Sequence, residues 1–257
     1  MKTVILCGGQ GTRLKEETEF KPKPLVEIGG KPILWHIMKI YSHYGFNDFV
    51  LCLGYKGNMI KDYFLNYGLH GNDFSLNLKS SKVSRLEERV EDWNITFADT
   101  GQETQPGGRI KLIEKYISED TFMVTYGDGV ADIELDKLVN HHANLGRIAT
   151  ITGVHPNSKF GTMEVDGDLI TNFHEKPKLK DWVSGGFFVF DRKVFDYFEA
   201  SGSFSVEENV FRKLAGEQEL ALYKHTGSWR CMDTYKDTKS LNEVWAAGNP
   251  SWKVWGD

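Results

Sequence analysis

Two short segments near the start of the chain contain residue types that bind phosphate. An apolar run at residues 3–7 breaks into Gly8-Gly9-Gln10-Gly11-Thr12-Arg13, and Lys21-Pro22-Lys23-Pro24 follows. Glycines let backbone N–H groups approach phosphate oxygens closely, because no Cβ blocks the path. The Arg13 guanidinium can bind two oxygens at once, and Lys23 adds a compact positive charge. This combination predicts a triphosphate site.

The same loop excludes two common nucleotide-binding motifs. A Walker A loop ends in Gly-Lys-Ser/Thr, whereas this stretch ends in Gly11-Thr12-Arg13. The dinucleotide-binding fingerprint requires a glycine where Leu14 stands. The phosphate site therefore belongs to another class of nucleotide-binding protein.

Two isolated acidic residues each follow a strand-like run and are candidate metal ligands. Asp128 lies within Tyr126-Gly127-Asp128-Gly129, and Asp233 lies within Cys231-Met232-Asp233-Thr234. Mg²⁺ favours one or two carboxylates together with substrate phosphates. Asp-Gly pairs are also common turn formers, so each acid taken alone is more simply a turn or cap residue. Their occurrence together with the glycine loop favours metal binding.

A third candidate region is His174-Glu175-Lys176-Pro177, followed shortly by Ser184-Gly185-Gly186. Proline restricts the residue before it towards extended backbone, so Lys176 is expected in an extended stretch that points at a fixed target. Taken alone, the motif is better explained by a solvated Glu–Lys pair on the surface.

Apolar patterning predicts the elements that position these residues. Strands and helices alternate through about the first 155 residues, which predicts a largely parallel sheet with helices on both faces. Ligands bind at the carboxyl ends of such strands, and both the glycine loop and the Asp128 turn lie at such ends. The sequence therefore predicts that they share one pocket. The predicted strands are residues 3–7, 49–53, 121–126 and 148–154, and the predicted helices are residues 32–44, 59–67 and 135–145.

The remaining segments have weaker patterns. Short strands are predicted at residues 74–78 and 95–98, and the charged stretch 79–91 between them reads as an exposed loop or arm. Asp166-Gly167-Asp168 is typical of a hairpin turn between strands 162–165 and 169–174. A further strand is predicted at residues 182–190 and a helix at residues 236–247.

Composition limits the possible partners. The 257 residues carry a net charge of −5, which argues against a nucleic-acid partner because such proteins usually have a basic surface. No apolar run approaches the roughly 20 residues of a membrane span, and the first run is too short for a signal peptide, so a cytoplasmic protein without a membrane partner is expected. Cys7, Cys52 and Cys231 are widely spaced, which indicates reduced, mostly buried thiols. His141-His142 is not expected to bind metal, since adjacent helical residues face different ways.

Together these motifs resemble the sugar-1-phosphate nucleotidylyltransferases. The glycine loop, Lys21-Pro22-Lys23-Pro24, Gly127-Asp128-Gly129, Glu175-Lys176-Pro177 and Gly185-Gly186 occur in that family's order. Residues 23–38, with Trp93-Asn94-Ile95-Thr96, Asp99-Thr100-Gly101, Gly107-Gly108-Arg109 and Met232-Asp233-Thr234, resemble the bacterial glucose-1-phosphate cytidylyltransferase branch. The resemblance covers essentially the whole chain.

The resemblance implies a Rossmann-like α/β fold of the nucleotide-diphospho-sugar transferase type. Its sheet would be mostly parallel but mixed, flanked by helices, with small β-rich sugar-binding insertions. A single domain would span residues 1–257, with 1–155 mainly binding nucleotide and 156–257 mainly binding the sugar phosphate and ending in a helix. The implied reaction joins CTP and α-D-glucose 1-phosphate to give CDP-glucose and pyrophosphate, with Mg²⁺ as cofactor. The implied partners also include further copies of the chain, in an oligomer built on trimers and possibly a hexamer, and the product would supply dideoxyhexoses of surface polysaccharide.

The resemblance also assigns roles to individual residues. Catalysis would rest on Arg13, Lys23, Asp128 and Lys176, and Asp128 and Asp233 would hold Mg²⁺. Cytosine recognition would involve Thr104 and Arg109, and the sugar and its phosphate would contact Tyr126, Gly127, Glu175, Lys176, Ser184, Gly185 and Gly186. The nucleotide would be wrapped by Leu6, Cys7, Gly8, Gly9, Gln10, Gly11, Thr12 and Arg13, with Lys23 and Asp128 near its phosphates.

Two positions depart from the family pattern. Family members commonly have asparagine where Ser184 stands, which bears on the identity of the sugar. They commonly have proline where Cys231 stands, two residues before Asp233, which leaves the chemistry intact.

Three alternatives are left open by the residues. A sister enzyme with the same fold could use UTP, dTTP or another sugar 1-phosphate. A glycosyltransferase that uses a nucleotide-sugar donor would need an Asp-x-Asp pair, and Asp166-Gly167-Asp168 has that spacing. A non-catalytic sensor on the same scaffold would be expected to have lost Arg13, Lys23, Asp128 or Lys176, and all four are present.

Overall fold

The protein is built around a twisted central sheet with helices on both faces. The structure, a computed structural model, describes residues 1–85, 90–199 and 204–256. Within these ranges the sheet has seven strands in the order β14-β10-β13-β8-β1-β4-β7. Only β13 runs against its neighbours, since it pairs antiparallel with both β8 and β10. The prediction of a mostly parallel, mixed α/β sheet is confirmed. The strands are β1 Thr3–Leu6, β2 Glu27–Ile28, β3 Lys31–Pro32, β4 Asp48–Leu53, β5 Phe74–Asn77, β6 Lys82–Arg85, β7 Asn94–Asp99, β8 Thr121–Tyr126, β9 Gly129–Ala131, β10 Ala149–Val154, β11 Thr162–Asp166, β12 Leu169–His174, β13 Val183–Asp191, β14 Leu220–Lys224 and β15 Trp229–Cys231.

The helices follow the predicted bounds closely where the apolar period is strong. The helix predicted at 135–145 is found at those residues, and those predicted at 32–44, 59–67 and 236–247 differ by one or two residues at their ends. The α-helices are α1 Lys15–Thr18, α2 Ile33–His43, α3 Gly57–Leu65, α4 Tyr67–His70, α5 Pro106–Leu112, α6 Leu135–Leu145, α7 Arg212–Gly216 and α8 Tyr235–Ala246. Short 3₁₀ helices cover Thr12–Leu14, Lys23–Leu25, Glu114–Tyr116 and Arg192–Tyr197, and a π-helical turn covers Val206–Phe211.

Each face of the sheet has its own hydrophobic core, because side chains alternate along a strand. In β1, Ile5 packs into the core that contains α2 and α8, while Val4 packs into the core that contains α5. The fully buried Phe190 and Val189 of β13 divide in the same way. The sheet is therefore covered on both sides, as its continuous apolar strands predict.

The prediction for residues 79–91 is wrong in part. Lys82–Arg85 forms strand β6, which pairs antiparallel with β5 to make a hairpin outside the main sheet. Glu91 is partly buried and its carboxylate accepts a hydrogen bond from Lys39 at 3.2 Å. Residues 86–89 of this segment lie outside the described residues. The sequence did not predict this strand because its residues Lys82–Arg85 are mostly polar or charged, and the described side chains are exposed.

The hairpin predicted around Asp166-Gly167-Asp168 is confirmed. Strands β11 and β12 pair antiparallel, with a register shift between Glu164 and Val165. Asp168 lies in the exposed turn between them. Its Asp-x-Asp spacing is thus explained by the turn. No helix in the described part of the chain is long and apolar enough to cross a membrane.

A buried histidine lies at the centre of an aromatic cluster where α2 meets the C-terminal segment. His36 is fully buried, and its Nε2 lies 2.9 Å from the carbonyl oxygen of Ile28. Its ring makes edge contacts with Trp35 and Trp245, at centroid distances of 5.1 and 4.7 Å. Burial lowers the pKa of His36 from 6.5 to about 4. The packing therefore requires a neutral imidazole.

Because of this requirement, the free energy of unfolding depends on pH in the acid range. The unfolded chain takes up a proton below about pH 6.5, whereas the folded His36 stays neutral down to about pH 4. The stabilisation is complete above pH 6.5 and is lost as the pH falls towards 4, by up to about 3 kcal/mol. Urea unfolding of the wild type and of His36→Gln at pH 7 to 4 checks this. The variant should show a shallower loss of unfolding free energy, and the exposed His43→Gln should match the wild type. Equal pH slopes for the wild type and His36→Gln would contradict the assignment.

Candidate active site

The glycine loop and the Asp128 turn leave the sheet at adjacent points. Leu6 and Tyr126 are register partners at the carboxyl ends of the parallel strands β1 and β8. Just beyond them, the Gly127 N–H donates to the Leu6 carbonyl at 3.2 Å. The two segments line one pocket of about 330 Å³, so the predicted shared pocket is present. Of the sequence-predicted residues, it is lined by Leu6, Cys7, Gly8, Gly9, Gly11, Thr12, Arg13, Lys23, Thr104, Arg109, Tyr126, Gly127 and Asp128.

A cluster of alternating charges adjoins this pocket, which Arg13, Lys23 and Asp128 line and Asp233 does not. Lys23 Nζ lies 2.6 Å from Asp128 Oδ2 and 2.9 Å from Asp233 Oδ1. The second oxygen of Asp233 accepts a hydrogen bond from Arg13 Nη1 at 2.7 Å. The Lys23 and Asp233 side chains are only 11% and 14% exposed, so their charges are poorly screened by water. Arg13, at 69% exposed, reaches in from solvent.

The ionisation of the cluster follows from this pairing. Burial alone would lower the pKa of Lys23, but the two carboxylates outweigh it and raise that pKa above its ordinary value. Burial would likewise raise the pKa of Asp233, but Lys23 and Arg13 hold it below its usual range. The lysine is therefore a fixed cation at neutral pH, and Asp233 a fixed anion.

Backbone pairing brings the two acids together across 105 positions of sequence. Strands β9 and β15 pair antiparallel with Cys231 opposite Gly129, and the Met232 N–H donates to the Asp128 carbonyl at 2.9 Å. Helix α8 begins directly after Asp233. Its N-cap Thr234 and Asp237 form a capping box, and Asp237 also accepts from the Asp233 N–H at 3.1 Å. Asp233 is thus fixed by the sheet on one side and by the helix start on the other.

These residues fit a hard divalent cation. Asp128 and Asp233 offer carboxylate oxygens close to one another, which is the donor type that Mg²⁺ prefers. In the structure Lys23 lies between them and hydrogen-bonds both, so a cation between the carboxylates would replace the lysine there. Lys23 would then be available to phosphate oxygens on the pocket side. The donor set and the adjoining pocket together support metal binding by these two acids.

Arg109 is a buried residue whose guanidinium connects the carboxyl ends of three strands. It is only 3% exposed, and its two terminal nitrogens lie within hydrogen-bond distance of five acceptors, two of which share one N–H group. Nη2 bonds the carbonyls of Gly8 and Gln102 at 3.0 and 3.2 Å. Nη1 bonds the Leu53 carbonyl, the Thr100 hydroxyl and the Gly101 carbonyl at 3.1, 2.7 and 2.7 Å. Both terminal nitrogens are therefore occupied by the protein, and Arg109 holds the rim of the pocket as well as lining it.

Gly8 is required by the approach of this guanidinium. A Cβ built at Gly8 would lie 2.1 Å from Arg109 Nη1, which no side chain can tolerate without displacing the arginine. The glycine loop thus owes part of its composition to packing against Arg109, in addition to any contact with phosphate.

The Glu175-Lys176 motif is not among the pocket-lining residues. The two side chains pair with each other at 2.7 Å and are exposed by 64% and 50%. The prediction of extended backbone at Lys176 is wrong, since its φ is +47°, in the left-handed region that costs a residue with a Cβ conformational energy. Proline favours extended backbone at the residue before it, so the tertiary structure overrides this local preference at Lys176.

The Ser184-Gly185-Gly186 segment lies within β13 beside the pocket. Gly186 has φ +79°, and a Cβ there would lie 2.6 Å from the ring of Tyr126, so glycine lets β13 pass this pocket residue. The Gly185 carbonyl accepts a hydrogen bond from Trp229 Nε1 at 2.7 Å, while Ser184 is exposed.

Gln10 is the one residue of the predicted glycine loop that does not line the pocket. Its side-chain amide donates a hydrogen bond to Glu103 at 3.3 Å.

Three residues at the site were missed by the sequence reasoning. Lys159 Nζ lies 3.8 Å from Asp233 and adds a third cation to the cluster. Glu207, in the π-helical turn, accepts a hydrogen bond from the Tyr126 hydroxyl, and this interaction contributes to raising the pKa of Tyr126, after burial. Trp229 fixes the Gly185 carbonyl as described above. None belongs to a recognisable motif, and only the apolar strand signal around Trp229 was available.

The thiols match the prediction of reduced, mostly buried cysteines. All three are free, Cys7 and Cys52 are buried, and Cys231 is half-buried. Burial raises the pKa of Cys52 to about 12 and also raises those of Cys7 and Cys231. For Cys231 the nearby carboxylates of Asp128 and Asp233 add to the effect. His141 and His142 face a backbone carbonyl and the Thr150 hydroxyl respectively.

The α/β sheet carries a glycine loop, paired carboxylates and fixed cations at its strand ends. This combination is typical of enzymes that transfer a phosphate-containing group from a nucleotide. The family model described as Nucleotidyl transferase matches residues 2–248. The chain belongs to the nucleotidyl transferase family, in its glucose-1-phosphate cytidylyltransferase branch.

Curated relatives and a solved structure support this placement. A Bacillus subtilis (strain 168) protein named "Probable glucose-1-phosphate cytidylyltransferase" is 48% identical over 99% of this chain and 100% of its own length. The glucose-1-phosphate cytidylyltransferase of Salmonella typhi is 44% identical with the same coverage. The crystal structure of HddC from Yersinia pseudotuberculosis has a TM-score of 0.71 at 24% identity, covering 95% of this chain and 99% of that one, which shows the shared fold.

Replacing Arg109 by lysine should loosen the pocket rim although the charge is kept. A lysine cannot bond five acceptors in this fixed geometry, so buried carbonyls would lose their donors, each at a cost of about 1–3 kcal/mol. We expect Arg109→Lys to lower the unfolding free energy by about 3 kcal/mol or more and to weaken binding of CTP. Denaturant unfolding and calorimetric titration measure the two effects. The exposed Arg212→Lys is the matched control, and an Arg109→Lys protein as stable as this control would refute the role.

Proposed function

We propose that this protein transfers a cytidylyl group from CTP to α-D-glucose 1-phosphate, forming CDP-glucose and pyrophosphate. The observation that carries the proposal is the meeting of Lys23, Asp128 and Asp233 at the edge of a pocket that the glycine loop lines. The choice of CTP and glucose 1-phosphate is supported by full-length identity of 44–48% to proteins named for that activity.

The reaction needs positioning and charge stabilisation more than proton transfer. An oxygen of the sugar phosphate attacks the α-phosphorus of CTP in line, a new P–O bond forms, and the bond to pyrophosphate breaks. The attacking oxygen is already anionic at neutral pH, so no protein base is required. The main barriers are the approach of two anions and the charge that develops on the leaving group.

The cations of the site would meet these two requirements. Lys23, held charged by its carboxylate partners, would bind the phosphates of CTP, and Arg13 would bind them from the open side. Both already lie on the pocket wall that the glycine loop forms. Gly11 and Thr12 would offer backbone N–H groups to the same phosphates, and Gly8 would lie near the base.

Lys176 and Glu175 would contact the sugar and its phosphate. The left-handed backbone of Lys176 supports a functional role, because such conformations persist where the surroundings demand them and often occur at binding sites. Its pairing with Glu175 is exposed, so a sugar phosphate can compete for the lysine at little cost. Ser184, Gly185, Gly186, Tyr126 and Gly127 would complete this side.

Mg²⁺ is the proposed cofactor, held by Asp128 and Asp233. When bound, it would neutralise phosphate charge and hold the reacting groups in line.

The proposed cytosine site adjoins Thr104 and Arg109. Since both terminal nitrogens of Arg109 already bond the protein, we propose that it shapes the base pocket chiefly by holding residues 100–102. The nucleotide would then lie mainly against residues 1–155 and the sugar phosphate against residues 156–257.

A homo-oligomer built on trimers is also proposed. Hairpin β5–β6 exposes apolar side chains, including Phe74 at 43%, Leu76 at 49% and Val83 at 43%, which supports burial against another copy. A monomer mass in solution would contradict it.

We further propose a cytoplasmic location, in keeping with the three free thiols. The product is proposed to supply dideoxyhexoses for surface polysaccharide such as O-antigen.

Pyrophosphate release tests the function directly. The purified protein is incubated with Mg²⁺, each of the common nucleoside triphosphates and a panel of sugar 1-phosphates. The highest kcat/KM is expected for CTP with glucose 1-phosphate. A maximum with UTP or dTTP, or with another sugar, would identify a sister enzyme, and no release with any pair would overturn the proposal.

The variant Asp128→Asn should remove most of the activity while the fold is kept. Loss of this charge frees Lys23 from its 2.6 Å contact and removes one proposed metal ligand, so we expect kcat to fall by about 100-fold or more. Asp168→Asn, in the exposed β11–β12 turn, is the control and should retain normal turnover. A folded Asp128→Asn enzyme with near-normal turnover would exclude Asp128 from the mechanism. Loss of activity in Asp168→Asn would revive the Asp-x-Asp alternative.

A further inference from the structure

The two proposed metal ligands have a sulfur neighbour. The Sγ of Cys231 and carboxylate oxygens of Asp128 and Asp233 all lie within 4.8 Å of one another. Among the residues that the structure describes, these three make the only group of three or more His, Cys, Asp or Glu side chains so placed. All three are half-buried rather than sealed from solvent, so a cation can reach them.

The position of the thiol is set by the backbone. Cys231 is the last residue of β15 and pairs with Gly129, the residue after Asp128. The hydrogen bond from the Met232 N–H to the Asp128 carbonyl continues this pairing by one residue. Cys231 thus lies within a strand, while Asp128 immediately precedes β9 and Asp233 follows β15 by two residues, so the pairing of these two strands brings the three donors together.

Such a donor set differs in chemistry from two carboxylates alone. Mg²⁺ binds oxygen ligands and gains little from sulfur, whereas Zn²⁺ and Cd²⁺ bind thiolate together with carboxylate. Three protein donors with a fourth position left for water or phosphate is the arrangement of an open tetrahedral zinc site. The sulfur thus favours a class of cation that the proposed reaction does not use.

We propose that Asp128, Cys231 and Asp233 together bind a thiophilic divalent cation, and that this cation inhibits the enzyme by taking the place of Mg²⁺. The inhibition rests on the proposed function, whereas the binding does not. On binding, the Cys231 S–H bond breaks, a sulfur–metal bond forms and the proton leaves to solvent, with no change in oxidation state. Lys23 gives up its place between the two carboxylates, as it would for Mg²⁺.

The charges around the site favour replacement of Lys23 by a divalent cation. Two carboxylates and a thiolate carry three negative charges, so a divalent cation leaves the group with one, which Arg13 and Lys159 face at 2.7 and 3.8 Å from Asp233. The bound cation would be held more tightly than Mg²⁺, because a thiolate is added to ligands that both cations share.

Cadmium binding gives a readout that does not depend on activity. The reduced, metal-free protein is titrated with Cd²⁺ alone, and the ultraviolet absorption of the cadmium–thiolate bond is recorded. The wild type should show a band that saturates at one equivalent. Cys231→Ser should lack the band, and Cys52→Ala, which removes a fully buried thiol, should keep it. Absence of the band in the wild type, or its persistence in Cys231→Ser, would overturn the proposal.

The carboxylates are tested separately from the thiol. Asp128→Asn and Asp233→Asn should each weaken Cd²⁺ binding by at least about tenfold, since even groups beyond the direct ligands are typically worth that much. Unchanged affinity in both would mean that the thiol acts alone, which contradicts a three-donor site. If Cys231→Ser does not fold, the double variant Cys7→Ala/Cys52→Ala decides, because its only thiol must still give the band.

Inhibition is then measured in the pyrophosphate assay. Zn²⁺ at concentrations far below that of Mg²⁺ should inhibit the wild type, and Cys231→Ser should need at least about tenfold more Zn²⁺ for the same fractional inhibition. Equal sensitivity of the two proteins would overturn the inhibitory role. If no substrate pair releases pyrophosphate, the proposed function fails, while the cadmium titration still decides whether the site exists.

Discussion

The arrangement of the candidate site depends on one buried ammonium group. Lys23 Nζ bonds Asp128 and Asp233 at once, and these acids come from opposite ends of the chain's second half. Two carboxylates this close, at 26% and 14% exposed, repel each other unless a cation lies between them. The lysine supplies that cation from within the protein. With Arg13 also bonded to Asp233, two cations and two anions balance in charge and hold one another in place without a bound ligand.

The same principle extends to the rim of the pocket. Arg109 brings a second buried cation, and here the partners are backbone and hydroxyl oxygens of Gly8 after β1, Leu53 at the end of β4 and Thr100 after β7. Loops at the ends of parallel strands have no ladder to hold them, so a five-donor guanidinium is an efficient way to fix several at once. Gly8 then has to be glycine because the arginine passes so close. One lysine organises the acids of the site, and one arginine organises its carbonyls.

Sequence reasoning predicted the parts of the fold that local patterns determine. Apolar runs such as β1 and β8 and the amphipathic helices α2 and α6 were found close to their true bounds, because burial on a sheet imposes a period that composition reveals. The same reasoning predicted that the glycine loop and the Asp128 turn would meet, since both follow strands of one parallel sheet. It did not reveal β6, whose exposed and charged residues carry no apolar period, nor the left-handed backbone of Lys176.

The contact between Asp128 and Asp233 lay beyond such patterns for a different reason. It depends on the pairing of β9 with β15, two strands of three residues each, whose partners are about a hundred positions apart. Segments this short have no period to detect, and only the completed sheet brings them together. The proximity of Cys231 is a consequence of the same pairing, because the strand that delivers Asp233 must place its last residue beside Gly129. Cys231, which belongs to no recognisable motif in the sequence, therefore lies beside the two acids because of the same strand pairing.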